Sequence, residues 1–336
     1  MHIRIIVLAA TMSAAVPGCG EPTDSEPVSE PAPEVVEPAV ARSVDPAAAP
    51  AEDAWPAVIV AERNLFIPEG IEFDQTHQRF LVGSLRDGTV YQLERDGRLI
   101  PVAEDEELVS SIGIEVDEAR GRLLVANSDF SVIATGGVGQ AKLGVFDLSN
   151  GERIAMVDLG ATLEERAGET QFFANDVTVD DQGTIYVTDS RARAIYRVDD
   201  AYQATLLHRF VPSETFLPNG IVYHASGYLL VVGGESMFKV PLDDPASASQ
   251  VALSEPIPGA DGAVWTQDQH LAIVANRANR VVVLTSSDEW ASAELVESAT
   301  YEVMATTVAV VGDELYVVHP HFRDEGTPSV ERVTFE

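Results

Sequence analysis

The chain contains 336 residues, of which 54 are acidic and 21 basic, and its formal net charge at pH 7 is −33. Such a surface repels nucleic acid and anionic lipid headgroups, so we expect no nucleic-acid partner, whereas divalent cations are natural ligands for it. High solubility alone is the alternative explanation for the charge. The only cysteine is Cys19, so the chain cannot form an internal disulfide.

Residues 1–18 are predicted to be a lipoprotein signal peptide. A short basic start precedes an apolar stretch from Ile5 to Val16, which is too short to span a membrane. Val16-Pro17-Gly18-Cys19 then resembles a bacterial lipobox, in which cleavage precedes the cysteine and its thiol is acylated. We therefore predict attachment to the bacterial cell envelope through lipidated Cys19 alone, at the outer membrane or the periplasmic face. An ordinary secretory signal followed by an unmodified thiol is the alternative, because Pro17 is unusual at its position.

Residues 19–54 are predicted to form a disordered tether. They are rich in Pro, Ala, Glu and Ser, so they cannot bury enough apolar surface to offset the entropy lost on ordering. Proline and like-charge repulsion keep such a segment extended. The remaining residues, 55–336, are long enough for a single globular domain.

This domain contains six copies of one strand-turn-strand pattern. Each copy opens with a short motif and continues with an alternating apolar run, a turn and a second apolar run. Successive openings are separated by about 42 to 62 residues, and such a period with several short strands is typical of propeller blades. The openings are Glu69-Gly70-Ile71, Ile112-Gly113-Ile114, Asn175-Asp176-Val177, Asn219-Gly220-Ile221, Asp261-Gly262-Ala263 and Thr306-Thr307-Val308.

We therefore predict an all-β fold, a six-bladed β-propeller closed by an N-terminal strand. The last blade has only three recognisable strands, while residues 57–60, which read Ala-Val-Ile-Val, precede the first blade unassigned. Pairing of this segment with the last blade would remove two open sheet edges. Two insertions, residues 128–141 and 158–174, are expected to overhang the face where the inner strands begin.

Four of the six openings place an oxygen donor at the equivalent position: Glu69, Asn175, Asn219 and Asp261. Repetition brings these positions around one central axis. Two carboxylates and two amide oxygens suit Ca²⁺ or another divalent cation, whereas zinc prefers thiolate and imidazole. Four protein ligands would leave coordination positions for water or substrate, as a catalytic metal requires. The alternative is that these Asn and Asp residues serve only as turn formers between blades.

These motifs, which include Pro68-Glu69-Gly70, Pro218-Asn219-Gly220 and Ala260-Asp261-Gly262, resemble those of the senescence marker protein/gluconolactonase/regucalcin family. The resemblance covers about residues 57–336, and paraoxonases and diisopropylfluorophosphatase are similar more distantly. It implies a six-bladed propeller whose axial divalent ion is held by Glu69, Asn219 and Asp261. It further implies that Asn175 binds the metal or a nearby water and substrate, and that the activity is hydrolysis of lactones or related esters.

Two departures limit the resemblance. Blade two opens with Ser111-Ile112-Gly113, where paraoxonase-like relatives can carry a histidine. Gln171-Phe172-Phe173-Ala174 stands where regucalcin has sugar-binding residues, so the metal site carries over but the sugar substrate does not. Phe172 and Phe173 are expected either at an apolar pocket rim or in the core.

Further candidates lie at the ends of second strands. Asp189 in blade three and His319 and His321 in blade six could support the metal site from behind, although Asp189 is also a candidate for a purely structural hydrogen-bond acceptor. The chain has no Gly-x-Ser-x-Gly motif, which argues against a serine hydrolase.

The leading hypothesis is a Ca²⁺-dependent hydrolase of a small lactone or related ester, with Asp261, Glu69 and Asn175 as the catalytic residues. The alternative is a non-enzymatic binding propeller, similar to NHL or YWTD repeat proteins, with a structural axial metal. The sequence identifies no protein partner.

Overall fold

Six small antiparallel sheets form the blades of a β-propeller in the computed structural model, which describes residues 54–64, 66–163, 171–213, 215–322 and 326–335. The predicted all-β, six-bladed fold is confirmed. Residues 1–53 lie outside the described residues, so the predicted signal peptide, Cys19 and almost all of the tether remain predictions. No helix of the described part of the chain is both long and apolar enough to cross a bilayer.

Each blade contains an antiparallel meander whose strands follow chain order from the ring axis outward, and β18 in blade five and β1 in blade six add an outermost strand out of chain order. Blades one to three contain β2 (Pro68–Asp74), β3 (Arg79–Ser84), β4 (Val90–Leu93), β5 (Leu99–Ala103), β6 (Ser110–Asp117), β7 (Arg122–Ser128), β8 (Lys142–Asp147), β9 (Arg153–Asp158), β10 (Ala174–Val179), β11 (Ile185–Asp189), β12 (Ala194–Val198) and β13 (Ala204–Arg209). Blades four to six contain β14 (Ile221–His224), β15 (Tyr228–Gly233), β16 (Ser236–Pro241), β17 (Ser249–Gln250), β18 (Ala252–Leu253), β19 (Ala260–Trp265), β20 (Leu271–Ala275), β21 (Arg280–Thr285), β22 (Ser292–Thr300), β23 (Val308–Val311), β24 (Glu314–His319), β25 (Ser329–Arg332) and the N-terminal β1 (Val58–Val60).

The ring closes where β1 pairs antiparallel with β25, from Val58 opposite Glu331 to Val60 opposite Ser329. This confirms the predicted closure by an N-terminal strand. Ile59 is buried in the core layer between blades six and one, whereas its neighbours in β1 are exposed. A Cβ at Gly97 would lie 1.9 Å from the carbonyl oxygen of Val60, so only glycine lets the turn of blade one approach the closing strand.

The core consists of apolar layers between neighbouring blades. Second strands such as β11 and β20 are buried along their whole length, because both faces of each sheet are covered. The layer between blades six and one is aromatic, with the rings of Phe80 and Tyr316 5.1 Å apart and those of Trp55 and Phe80 4.8 Å apart. Trp55 thereby fixes the start of the domain against blade one.

Blade five differs from the sequence expectation because β18 adds a fifth strand, parallel to β22. The two predicted insertions carry little regular structure: the helix α1 (Val132–Thr135) lies in the first, and a 3-10 turn at Gly160–Thr162 lies in the second, of which residues 164–170 are outside the described part. Further 3-10 turns span Glu118–Arg120, Pro245–Ser247 and Asn276–Ala278.

Candidate functional site

Three of the four candidate ligands begin a β-bulge in an inner strand. In β2, β6, β10 and β19 two successive residues face a single residue of the next strand. Glu69, Asn175 and Asp261 are each the first residue of their bulge, and the blade-two equivalent is Ile112, which offers no donor. Bulges re-aim the side chains they carry, so equivalent bulges give these residues equivalent places around the axis. Asn219 lies two residues before the start of β14, and its backbone N–H donates to the carbonyl oxygen of Val232 at 2.8 Å.

The residue after each candidate ligand lies against the neighbouring inner strand. A Cβ at Gly70 would lie 2.2 Å from the carbonyl oxygen of Ile112, and one at Gly220 would lie 2.2 Å from that of Asp261. No side chain fits such a gap, so glycine at these positions lets the inner strands pack closely around the axis. The repeated Gly of the opening motifs is therefore a packing requirement of the ring.

Blade three carries Asp176 where the other bulges have glycine. The Asp176 carboxylate accepts hydrogen bonds from the backbone N–H of Val177 at 2.9 Å and of Ile221, in the next blade, at 3.1 Å. Burial raises the pKa of Asp176 to about 7, and these two hydrogen bonds oppose the shift. Sequence analysis did not single out this axial carboxylate, although its departure from the X-Gly pattern was a visible signal.

Glu69 and Asp261 form the acidic centre of the site. They are 8% and 3% exposed, respectively. Burial raises the pKa of Glu69 well above its usual value, and the charges of Asp261 and Asp176 raise it further. Burial also raises the pKa of Asp261 to about 7, while hydrogen bonding from Asn276 and Asn219 opposes the shift. The charge of Asp261 thus acts on Glu69, and the two residues begin equivalent bulges in the inner strands of blades five and one.

Neighbouring polar groups fix the remaining candidates. The side-chain amide of Asn276 donates to Asp261 Oδ2 at 2.6 Å. The amide nitrogen of Asn175 donates to Ser190 Oγ at 2.9 Å, so its carbonyl oxygen stays available as an acceptor. Ser190 and Asn276 both follow the second strand of their blade and were not predicted from the sequence.

The donor set fits a hard divalent cation. No described residue donates a hydrogen bond to the Glu69 carboxylate, although that carboxylate is buried beside a second acid. Within the described residues, no group of three or more His, Cys, Asp or Glu is arranged to hold a metal ion. The predicted set contains only two carboxylates, so it depends on the amide oxygens of Asn175 and Asn219. Metal binding by the four residues stays a prediction.

A second group of acids lies deeper in the central channel. Glu72 and Glu115 line the channel together with Asp176. Burial raises the pKa of Glu72 to about 7, and the charges of Asp176 and Glu118 add to the shift. Burial and then the charge of Glu72 raise the pKa of Glu115. The channel is therefore acidic along much of its length, which the sequence did not reveal because these residues occupy polar positions of ordinary alternating strands.

A cavity of about 390 Å³ is lined by two of the four candidate ligands, Asn175 and Asn219. These two residues are therefore accessible to a small molecule. Ile133, from α1 of the first insertion, also lines this cavity, so that insertion overhangs the site as expected. Phe173 is both buried and part of the cavity lining, whereas Phe172 packs on the core between blades two and three.

Asp189 accepts hydrogen bonds from groups close to Asn175. Its Oδ1 accepts hydrogen bonds from the backbone N–H groups of Phe173 at 2.9 Å, Arg191 at 3.0 Å and Ala192 at 2.8 Å. Its Oδ2 accepts the Tyr196 hydroxyl at 3.1 Å. Burial is the main cause of its raised pKa, which these four donors oppose. Asp189 therefore acts as a structural acceptor, opposite Ala174, the residue that precedes Asn175.

His319 makes its contacts with groups other than the four candidate ligands, namely Met304, Tyr301 and Glu331. It is fully buried, its Nδ1 is 3.2 Å from the carbonyl oxygen of Met304, and its ring lies edge-on to Tyr301. Its Nε2 is 3.5 Å from Glu331 Oε2 without forming an aligned hydrogen bond. Burial lowers the pKa of His319, which favours neutral imidazole. His321 has a left-handed backbone, with φ of 54°, next to a loop partly outside the described residues.

Comparison with known proteins shows the fold and no closer relationship. No family model and no curated protein matches the sequence. Among solved structures, the major allergen Mala s 1 of Malassezia sympodialis is 18% identical with a TM-score of 0.71, over 84% of this chain and 97% of the allergen. A gluconolactonase from Xanthomonas campestris is 15% identical with a TM-score of 0.58, over 82% and 89%. Virginiamycin B lyase from Staphylococcus aureus is 13% identical with a TM-score of 0.55, over 77% and 80%.

These similarities define the class of the protein as a six-bladed propeller of gluconolactonase-like fold. Propellers of one fold carry out different reactions and binding functions. The function must therefore be argued from the site of this chain itself.

Proposed function

We propose that this propeller is a divalent-cation-dependent hydrolase of a lactone or related ester, with Ca²⁺ as the first candidate ion. The observation that carries the proposal is the buried acids Glu69 and Asp261 at bulge positions equivalent to that of Asn175, which lines an open cavity. Two neighbouring buried carboxylates, one of them without a hydrogen-bond donor among the described residues, form a centre that a cation would stabilise. Low-identity structural similarity to a gluconolactonase supports the reaction class.

Glu69, Asn175, Asn219 and Asp261 would hold the ion. When bound, it would polarise a substrate carbonyl and lower the pKa of a water. The chain contributes preorganisation, because Asn276 holds the Asp261 carboxylate and Ser190 holds the amide end of Asn175. The cavity would orient the ester above this centre.

One observation favours the second candidate, a binding propeller whose axial metal is structural. His319 is packed against Met304 and Tyr301, so it is not placed to act as a general base in the cavity. Under the hydrolase proposal, the ion would have to activate the attacking water itself, since no histidine is among the described residues that line the cavity.

The cellular setting remains part of the proposal. A lipidated Cys19 and the tether predicted for residues 19–54 would hold the propeller at the cell envelope while leaving its cavity open to small molecules. Detergent-phase partitioning of the chain and of Cys19→Ala in a bacterial host tests this step. Equal partitioning of both forms would contradict the lipid anchor.

The decisive experiment uses the chain from residue 20 onward and a panel of lactones and aryl esters. We expect hydrolysis with Ca²⁺, no hydrolysis with chelator, and loss of both hydrolysis and Ca²⁺-dependent thermal stabilisation in Asp261→Asn. Asp96→Asn, at an exposed turn of blade one, is the matched control and should behave as wild type. Stabilisation by Ca²⁺ without turnover would favour the binding propeller, and no Ca²⁺ effect of either kind would reject the metal centre.

A further inference from the structure

Two arginines lie at equivalent positions on the rim of the cavity. Ala174 pairs with Asp189 in blade three and Ala260 pairs with Ala275 in blade five, and the arginine follows two residues later in each case. Arg191 and Arg277 both line this cavity. They directly follow Ser190 and Asn276, the residues that hydrogen-bond to Asn175 and Asp261. The two arginines therefore belong to the same turns as the residues that hold the proposed catalytic centre.

Arg191 and Arg277 have no carboxylate partner among the described residues. Several other arginines of this acidic chain do, such as Arg79 with Asp74 and Arg153 with Asp105, whereas Arg193 donates to the carbonyl oxygen of Ser213. Arg277 is exposed and makes no hydrogen bond or ion pair with any described residue.

Arg191 is held only by neutral acceptors. Its guanidinium donates to the carbonyl oxygen of Gly137 at 3.1 Å and to Gln171 Oε1 at 2.5 Å. Both arginines therefore keep an uncompensated positive charge at the cavity.

The charge of the cavity is opposite in sign to that of the chain. Its charged lining residues are Arg191, Arg277 and Glu235, so two positive charges and one negative charge leave a formal charge of +1, against −33 for the whole protein. A divalent ion on the site would in addition offset the two carboxylates, Glu69 and Asp261. An anion can therefore approach this cavity although the rest of the surface repels it.

One wall of the cavity is apolar. Ile133 and Leu217 line it while remaining 59% and 44% exposed, and buried Phe173 extends the same lining. A ligand that covers these side chains gains apolar burial of about 25 cal/mol per Å². The cavity thus combines an apolar wall with a cationic rim.

We infer that the substrate is anionic: a lactone or ester that carries a carboxylate or other oxyanion group on an apolar body. The oxyanion group pairs with Arg277 and Arg191, the apolar body covers Ile133 and Leu217, and the scissile ester reaches Asn175 and Asn219. Guanidinium groups suit such an oxyanion because their planar fork donates two parallel hydrogen bonds. This inference rests on the proposed hydrolase and specifies its substrate class.

The test uses a matched probe pair, 4-acetoxybenzoate and its methyl ester, which share the scissile acetate and differ by one remote negative charge. We expect kcat/KM for the anion to exceed that for the methyl ester by about 10-fold or more, through KM, given the usual strength of charged hydrogen bonds. Raising the salt concentration should narrow this ratio, because exposed charges are screened. Binding of 4-hydroxybenzoate and its methyl ester, measured by calorimetry, gives the same comparison without turnover.

Arg277→Gln and Arg191→Gln should each reduce the preference for the anion about 10-fold and leave the methyl ester little changed. Glu235→Gln should increase the preference, because it removes a like charge from the lining. Arg98→Gln is the matched control, since Arg98 is exposed and pairs with Asp96 at a turn between outer strands.

The inference would be overturned by equal kcat/KM and equal binding for the charged and uncharged probes, or by a preference that both arginine variants retain. Binding of neither hydroxybenzoate probe would also overturn it. Anion-selective binding that depends on Arg277, together with absence of ester hydrolysis, would instead sustain the anion site and reject the hydrolase.

Discussion

At the residue scale, the main feature is a buried pair of acids whose ionisation is costly. Desolvation raises the pKa values of Glu69 and Asp261, and the charge of Asp261 raises that of Glu69 further, so the folded protein holds protons there that the unfolded chain releases at lower pH. The contribution to stability is therefore most favourable below the usual carboxyl pKa and is lost as pH rises through the folded pKa. A bound cation would reverse this cost.

Replacing Glu69 by Gln should separate the two effects. Without Ca²⁺, we expect Glu69→Gln to leave the melting temperature unchanged near pH 5 and to raise it near pH 8, by on the order of 1.4 kcal/mol in unfolding free energy per unit of pKa elevation. The same variant should lose the Ca²⁺-dependent rise in melting temperature. Melting curves at the two pH values test this, with exposed Glu152→Gln as control. Destabilisation at pH 8 would show that Glu69 has a favourable partner.

Individual side chains were harder to predict than repeated ones. The positions of Glu69, Asn175 and Asp261 followed from equivalence between repeats, and the structure places all three at the same bulge. His319 could not be placed, because whether a strand-end side chain faces the cavity or the next blade depends on strand register and twist. Asp176 was not predicted as a channel residue, because it lies one position after the candidate ligand Asn175. From the sequence alone, an acid at that position cannot be distinguished from a turn former.

At the scale of elements, the bulge and its following glycine set the width of the channel. A methyl group at Gly70 would overlap the backbone of blade two, which cannot move without shifting the inner strand β6. The register that brings the candidate ligands together therefore depends on residues that carry no functional group. This dependence could not be predicted from the sequence, because the close approach joins strands about 40 residues apart.

Gly70→Ala should destabilise the fold by about 1–3 kcal/mol or more, because it forces overpacking against backbone atoms. Gly137→Ala is the matched control: the nearest atom to a Cβ there is a Val132 side-chain carbon at 3.5 Å, an ordinary contact. Urea unfolding of both variants measures the difference. Equal midpoints would mean that the inner strands can separate without cost.

At the scale of the whole molecule, the propeller is held closed by one short strand pair. The repeat period predicted six blades. It also predicted that the last blade takes its fourth strand from the apolar segment that precedes the first blade, since that segment remained unassigned. The extra strand β18 was not predicted, because two residues in parallel pairing leave no periodic pattern.

Removal of residues 1–53 should leave the melting temperature nearly unchanged, since Trp55 and β1 are retained. Removal of residues 1–62 should cost several kcal/mol of unfolding free energy, because it deletes buried Ile59 and the Trp55 contacts with Phe73 and Phe80. Thermal denaturation of the two truncated proteins provides the measurement. Similar melting would indicate that the ring does not need its closing strand.

The pairing of β1 with β25 also determines when the propeller can close during synthesis and folding. Val58 and Glu331 are 273 positions apart (331 − 58), whereas the strands within a blade are joined by short turns. Contacts at such separation form late, because chain entropy opposes them until most of the intervening residues are in place. Until β25 has left the ribosome, the growing chain is an open arc in which one edge of β24 is uncovered and β1 has no partner. The chain is therefore most exposed to aggregation before β25 is synthesised.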